Sequence, residues 1–250
     1  MRNTWLILIA FWLMGCGVQP TTPFPSETPT ITQAPTNTII WFPPTCTSTS
    51  APTEDHTPTP DVRQQLGPLI LDDDFRTGED WPQADTVNSS IAVSNQHLTL
   101  VLSKGNGYIY TLRKSPYLKN FYAEITTEVN LCRSQDEYGM LIRAASNSSY
   151  YRFALACNGT AKVERLLRGV LSLSIPPQIN GAVPNGSPSI SRLAVWAEGK
   201  ELRFYANEQL LFSLSDRALG AGSIGVFVRT QQDSALSVNF SQLEVYEIAP

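Results

Sequence analysis

Histidine and cysteine are scarce in this 250-residue chain, and positive charge never gathers into a run. Two histidines and four cysteines leave little material for a zinc centre or a histidine-based catalytic site. The 18 Lys+Arg are dispersed and the formal net charge is -4, which excludes the phosphate-tracking surface of a nucleic-acid binder. No apolar stretch reaches the ~18 residues that a membrane-spanning helix requires. Proline is abundant but uneven, with 11 of the 18 at or before Pro68. The remainder reads as one globular domain.

The first residues read as an address. Arg2 precedes ten apolar residues at 5–14 (WLILIAFWLM), the length of a signal-peptide core and too short to span a bilayer. That run leads into Leu13-Met14-Gly15-Cys16, which resembles the bacterial lipobox. The resemblance implies a signal peptide over 1–15, a diacylglyceryl thioether on Cys16 and a mature chain held extracytoplasmically at the cell membrane. Each buried CH₂ contributes about 0.8 kcal/mol, so two or more acyl chains anchor stably where one does not. Ordinary secretion with cleavage nearby is the alternative.

Residues 16–66 read as a disordered linker. Positions 21–60 hold 13 Thr and 9 Pro with no Lys or Arg. Proline removes amide donors and Thr adds no core, so the segment does not offset the entropy of ordering it. An extended tether of this length reaches on the order of 100 Å. Ile39-Ile40-Trp41-Phe42 interrupts its polarity, and Cys46 has no evident partner.

The domain at 67–250 reads as all-β. Short runs alternate between apolar and polar residues and are separated by turn residues. Within 121–129, Phe121, Ala123, Ile125 and Val129 share one face while Tyr122, Glu124, Thr126 and Glu128 share the other, the period of a strand with one wet side. Further runs at 98–102, 108–112, 138–145, 150–157, 161–167, 192–196, 201–205, 210–214, 223–228 and 236–248 give about a dozen strands. Nothing has helical period beyond a turn around 215–219. The strands at 121–129, 138–145 and 150–157 read as one meander. The pattern predicts a two-sheet antiparallel β-sandwich.

Several segments together resemble concanavalin A-like jelly rolls. They are Leu71-Asp72-Asp73-Asp74-Phe75 with Trp81, residues 137–144 (EYGMLIRA), Tyr150-Tyr151-Arg152-Phe153, Cys157-Asn158-Gly159, the hairpin at 192–211 and the closing run at 238–245. This group includes laminin G-like modules, legume lectins, laminarinase-type hydrolases and the domain labelled 3-keto-disaccharide hydrolase. Membership implies two stacked sheets, and one scaffold hosts many functions. Laminarinase-type relatives carry Glu-x-Asp-x-Glu on a strand. Here Glu124 and Glu128 have the outer spacing, with Thr126 in place of the Asp. Their α-carbons are ~13 Å apart on a flat strand, so the side chains must converge to reach the ~5.5 Å of a retaining pair. Paired acids on a solvated face, answered by Arg143 or Arg152 across the strands, are the competing reading.

Asp72, Asp73 and Asp74 offer oxygens for a structural calcium, although Ser241 replaces the last-strand Asp seen in many relatives. His97 has no nucleophile signature to serve. Cys132 and Cys157 are expected to pair, since exported cysteines in a small domain usually do. In a meander they flank one strand ~9.6 Å apart, so residues 132–136 must fold over the strand end. For ligands, one polar face offers Tyr122 with Arg143 and Arg152 expected beside it. The later hairpin offers Trp196 opposite Arg203, a cation–π pair, with Arg192 and Tyr205.

The leading expectation is a lipid-anchored surface protein that presents a non-catalytic jelly roll for glycan or protein binding, without a cofactor. A glycoside or keto-disaccharide hydrolase using Glu124 and Glu128 is the alternative. A structural envelope protein without a small ligand is the third.

Overall fold

The computed structural model describes residues 62–231 and 233–248. The expectations for the signal segment, Cys16, the Thr/Pro-rich stretch and Cys46 lie outside these residues. A 3-10 turn at Val62–Gln65 opens the described chain. Fifteen strands follow: β1 (Leu66–Asp73), β2 (Ala84–Asp85), β3 (Ser89–Ser94), β4 (His97–Leu102), β5 (Tyr108–Leu112), β6 (Phe121–Leu131), β7 (Glu137–Ser146), β8 (Ser149–Ala156), β9 (Thr160–Leu167), β10 (Val170–Ile179), β11 (Ser189–Glu198), β12 (Glu201–Ala206), β13 (Gln209–Ser215), β14 (Ser223–Arg229) and β15 (Leu236–Ile248). They form two antiparallel sheets. The nine-stranded sheet runs β13-β12-β11-β6-β15-β4-β3-β2, with β1 also paired to β15. The six-stranded sheet runs β10-β9-β8-β7-β14-β5.

Alternation explains the sandwich. Phe121, Ala123, Ile125 and Val129 of β6 point into the same core as Tyr138, Met140 and Ile142 of β7 and Ile224, Val226 and Val228 of β14. Phe153 and Phe204 meet across the two layers with ring centroids 5.2 Å apart. Each fully buried Val, Leu, Ile or Phe contributes about 1.5–3 kcal/mol, and this shared core is what holds the sheets together.

The expected meander is corrected in one respect. Strands β7, β8, β9 and β10 do form one, but β6 belongs to the other sheet. Both edges of β6 are occupied, by β11 and β15, so the chain must cross layers before β7. That crossing brings Cys132 and Cys157 to a Cα separation of 6.1 Å, where they form the expected disulfide. The bond closes a separation of 25 residues, worth about 3.5 kcal/mol by chain entropy. Beside it Asp136 is fully buried and accepts from Arg133 N (3.1 Å), Gln231 N (3.2 Å) and Ser234 Oγ (2.7 Å).

Residues 62–66, read as linker, are part of the fold, because Val62 and Leu66 pack on Tyr122, Trp196 and Tyr205. The turn expected near 215–219 is a bend rather than a helical turn. Asp216 turns the chain there by accepting from Ala218 N at 2.7 Å.

Arg143 is the second correction. The registers of β7 with β8 and with β14 both shift near it, and the residue adopts φ 48°. This bulge carries the side chain off the outer face and into full burial. Its Nη1 donates to Gly199 O (2.8 Å) and Leu219 O (3.1 Å), and its Nη2 to Lys119 O (3.0 Å). One guanidinium thus ties three loops together at one end of the sandwich. Gly222 runs so close to the backbone of Arg143 and Ala144 that a side-chain carbon there would overlap both. Arg143→Leu should therefore cost about 3 kcal/mol or more, because three buried carbonyls lose a charged donor. The measurement is the urea midpoint, which should fall with the slope unchanged.

Candidate functional site

The two outer faces differ in what they leave available. On the nine-stranded sheet, β6 and β11 place Tyr122, Glu124, Ala194 and Trp196 outward, and β12 adds Tyr205. Trp196 stands opposite Arg203 as the pattern predicts, with the guanidinium 5.9 Å from the ring centroid. The face is nevertheless closed. Val62, Leu66, Tyr246 and Ile248 pack over the aromatic cluster, and Trp196 keeps only 2% of its surface. Tyr122, Trp196 and Tyr205 are therefore not a stacking platform, because chain from both ends of the domain covers them.

Glu124 lies under the same cover. It accepts from the Tyr122 hydroxyl at 2.8 Å and pairs with Arg63 at 3.2 Å and Arg192 at 3.4 Å. Burial, followed by the Glu124 charge, pushes the Tyr122 hydroxyl well above its ordinary range. Glu128 sits 4.0 Å from His97 Nε2 at the rim. Glu124 is thus held by structural partners, Glu128 stands apart from them, and neither lines the hollows described next. The expected answer from Arg143 or Arg152 is also corrected, since both arginines are on strands of the other sheet.

Two of the three aspartates at 72–74 are likewise committed. Asp73 accepts from Phe75 N (3.0 Å), Trp81 Nε1 (3.0 Å) and Arg113 Nε (2.9 Å). Asp74 accepts from Arg76 N at 3.1 Å and pairs with Arg76 Nε at 2.8 Å. A calcium ion needs six to eight oxygens, and both carboxylate oxygens of Asp73 and of Asp74 already accept from these donors. Among the described residues no cluster of three or more His, Cys, Asp or Glu has metal-ligand geometry.

The outer face of the six-stranded sheet has its own buried cluster of Leu141, Ala144, Tyr150, Ala154 and Phe227, and beside it two hollows open among polar side chains. Register places Tyr108, Arg229, Glu137 and Ala156 in one row across β5, β14, β7 and β8. The next row is Tyr110, Phe227, Gly139, Ala154 and Lys162. Arg152 and Glu164 follow, side by side. Gly139 has no room for a side-chain carbon, which would strike Phe153 O. Together with Ala154 and Ala156 it makes a low floor between taller neighbours. A hollow of about 260 Å³ lies there, lined by Glu137, Lys162, Asn158, Pro177 and Gln231. A second of about 360 Å³, lined by Asn106, Tyr108, Arg229 and Thr230, shares Gln231 with it. Both are near the lower end of small-ligand sites, about 300–1,000 Å³.

Charge on this floor is arranged as a chain. Arg152 Nε donates to Glu164 Oε2 at 2.7 Å. Lys162 Nζ pairs with Glu164 at 3.2 Å and Glu137 at 2.7 Å, and Gln231 Nε2 donates to Glu137 Oε1 at 2.8 Å. Arg152 also lies 5.2 Å from the Tyr108 ring and 5.4 Å from Phe227, within cation–π range. Tyr108 and Tyr110 are partly buried with centroids 5.4 Å apart, and the Tyr108 and Tyr150 hydroxyls share a hydrogen bond at 3.1 Å. Burial and then that bond push the Tyr108 hydroxyl far upward. Of the residues singled out from sequence, only Arg152 is here. Tyr108, Tyr110, Glu137, Lys162, Arg229 and Gln231 were missed, and the alternating Tyr108-Ile109-Tyr110 was the signal that pointed to them.

No protein-family model and no curated protein sequence matches the chain. Solved structures do. The chain is similar to carbohydrate-binding module CBM66 from Bacillus subtilis, at 16% identity and a TM-score of 0.54 over 67% of this chain and 96% of that one. A galectin-like-fold protein of unknown function from the same organism gives 10% identity and 0.57 over 74% and 99%. The catalytic domain of an endo-1,3-β-glucanase (laminarinase) from Thermotoga petrophila RKU-1 gives 10% and 0.50 over 73% and 98%. The domain therefore has the jelly-roll sandwich fold of these structures. At these identities the likeness establishes the fold alone.

Seven of the nine tyrosines have raised pKa values, with burial the first cause in six and the Glu244 hydrogen bond in Tyr246. Buried Tyr151 is pushed up to about 12. A phenol raised on folding favours the folded state fully below its unfolded pKa of about 10, and that contribution is lost as pH rises through the folded value. Phenolate absorbance of the native chain should thus rise at higher pH than in urea. Stability should fall as pH climbs from about 10 toward the 12 of Tyr151.

Proposed function

We propose that this chain is a lipid-anchored, extracytoplasmic protein that binds carbohydrate without cleaving it, on the outer face of its six-stranded sheet. The observation that carries the reading is the pair of partly buried rings, Tyr108 and Tyr110, beside a floor of small residues bordered by hydrogen-bonding side chains. Tyrosine rings cover the apolar side of a pyranose, and fixed polar groups orient its hydroxyls. The similar structures support this, since one bears the name of a carbohydrate-binding module and another that of a laminarinase.

Binding without hydrolysis follows from the state of the carboxylates. Glycoside cleavage uses one carboxyl group as acid and a second as base or nucleophile. Glu137 and Glu164 both lie against Lys162, and Glu164 also against Arg152. Each carboxylate is thus tied to at least one cation, which leaves neither as the unpaired acid that protonates a glycosidic oxygen. The anchor rests on the Leu13-Met14-Gly15-Cys16 motif and the Thr/Pro-rich tether after it, with the membrane as partner through the lipid.

On a glycan array, the full chain should bind at least one saccharide saturably and release no reducing ends. Tyr110→Ala should weaken that binding about ten-fold, the loss of one ring contact of about 1–1.5 kcal/mol. Release of reducing ends that disappears in Glu164→Gln would make the protein a hydrolase, and silence across the array would leave a structural envelope role. In cells, labelled palmitate should enter the chain and the protein should sediment with membranes. Cys16→Ser should abolish both.

A further inference from the structure

Two hydrogen-bonding capacities in the groove are unmet, and they are of opposite kind. Glu137 is 97% buried, with 3% of its surface exposed. Its Oε1 accepts from Gln231 and pairs with Lys162. Its Oε2 is buried and has no hydrogen-bond partner among the described residues. A carboxylate oxygen stripped of water and left without a donor is costly, and it borders the first hollow. What it lacks is a donor.

Arg229 stands directly opposite Glu137, on β14. Its Nη1 comes no nearer than 3.8 Å to Glu137 Oε2, which is too long for a hydrogen bond. The side chain is 35% exposed, makes no hydrogen bond among the described residues, and lines the second hollow with Tyr108 and Asn106. What it lacks is an acceptor. A guanidinium with this freedom is built to hold a planar carboxylate through two parallel bonds.

We propose that the groove takes an acidic saccharide, a hexuronate unit whose carboxylate is held by Arg229 and whose neighbouring hydroxyl donates to Glu137 Oε2. This rests on the carbohydrate reading above and names its ligand class. In the non-reducing terminal unit of a uronate chain the carboxylate-bearing carbon adjoins one that keeps its hydroxyl, and adjacent strands lie about 4.8 Å apart, so one ring reaches both groups. The charge balance agrees. Arg152, Lys162 and Arg229 face Glu137 and Glu164, leaving one positive charge on the floor. Asp233 on the neighbouring loop is occupied by Gly105 N at 3.4 Å. A neutral sugar satisfies Glu137 but leaves the guanidinium unused.

The test is calorimetric titration of the full chain with trimers of galacturonate, glucuronate and mannuronate, each against its carboxyl-reduced neutral counterpart. In at least one pair the acid should bind ten-fold or more tightly, with affinity falling as salt is raised. Arg229→Leu should bring the acid down to the level of its neutral partner, while Arg229→Lys keeps part of the preference. Circular dichroism and Tm should be unchanged in both variants. Equal binding of acid and neutral forms in every pair, or a preference that survives Arg229→Leu, overturns the uronate assignment and leaves the carbohydrate reading standing. Absence of binding to every acidic and neutral trimer, together with silence on the glycan array, overturns both.

Discussion

Two apolar sheet faces pressed together impose the rule from which the rest of this molecule follows. Every strand through the core gives up alternate side chains to it, as β6 gives Phe121, Ala123, Ile125 and Val129. The intervening residues are released from packing and form two outer surfaces. One of these is then sealed by the first and last described segments, through Val62, Leu66, Tyr246 and Ile248. The other keeps two hollows, bordered by Tyr108 and by the linked charges of Glu137 and Lys162. The candidate site is the by-product of a core rule plus one face that is only partly covered.

Buried polar groups organise the ends of the sandwich in the same economical way. Arg143 serves the loops of Lys119, Gly199 and Leu219, while Asp136 serves Arg133, Gln231 and Ser234 beside the disulfide. Asp73 joins Trp81 to Arg113, which also reaches Asp80 at 2.7 Å. In each case a single charged group satisfies several backbone or side-chain partners that would otherwise be stranded. The wall of the groove depends on one of these clamps, since Gln231 is held by Asp136 through its amide and holds Glu137 through its side chain.

Much of the architecture was legible because period-two alternation records burial directly. The runs at 98–102, 121–129, 150–157 and 236–248 all became strands of nearly the expected extent. β10 escaped notice because Val170, Leu171, Leu173 and Ile179 are exposed on an edge, so no alternation of burial marks it. The layer crossing after β6 is set by which strands flank it, and β11 and β15 come far later in the chain. Arg143 misled because a bulge inverts the facing of a residue without changing the pattern around it. The site itself was hardest to see, for its rows take residues from β5, β14, β7, β8 and β9. Cross-strand register brings these together, and local spacing carries no trace of it. Trp196 and Arg203 were found because one hairpin supplies both.

The position of β15 has a bearing on how the molecule reaches its shape. That final strand pairs with β1, β4 and β6, so the middle of the larger sheet stays unfilled until the last stretch of polypeptide arrives. β7 likewise waits for β14. A topology so dominated by distant pairings folds slowly, and a nascent chain lacking its tail exposes the bare edges of its central strands. Closure of the sandwich must therefore wait until β14 and β15 have both been made, and until then the inner edges of β6 and β7 have nothing to pair with.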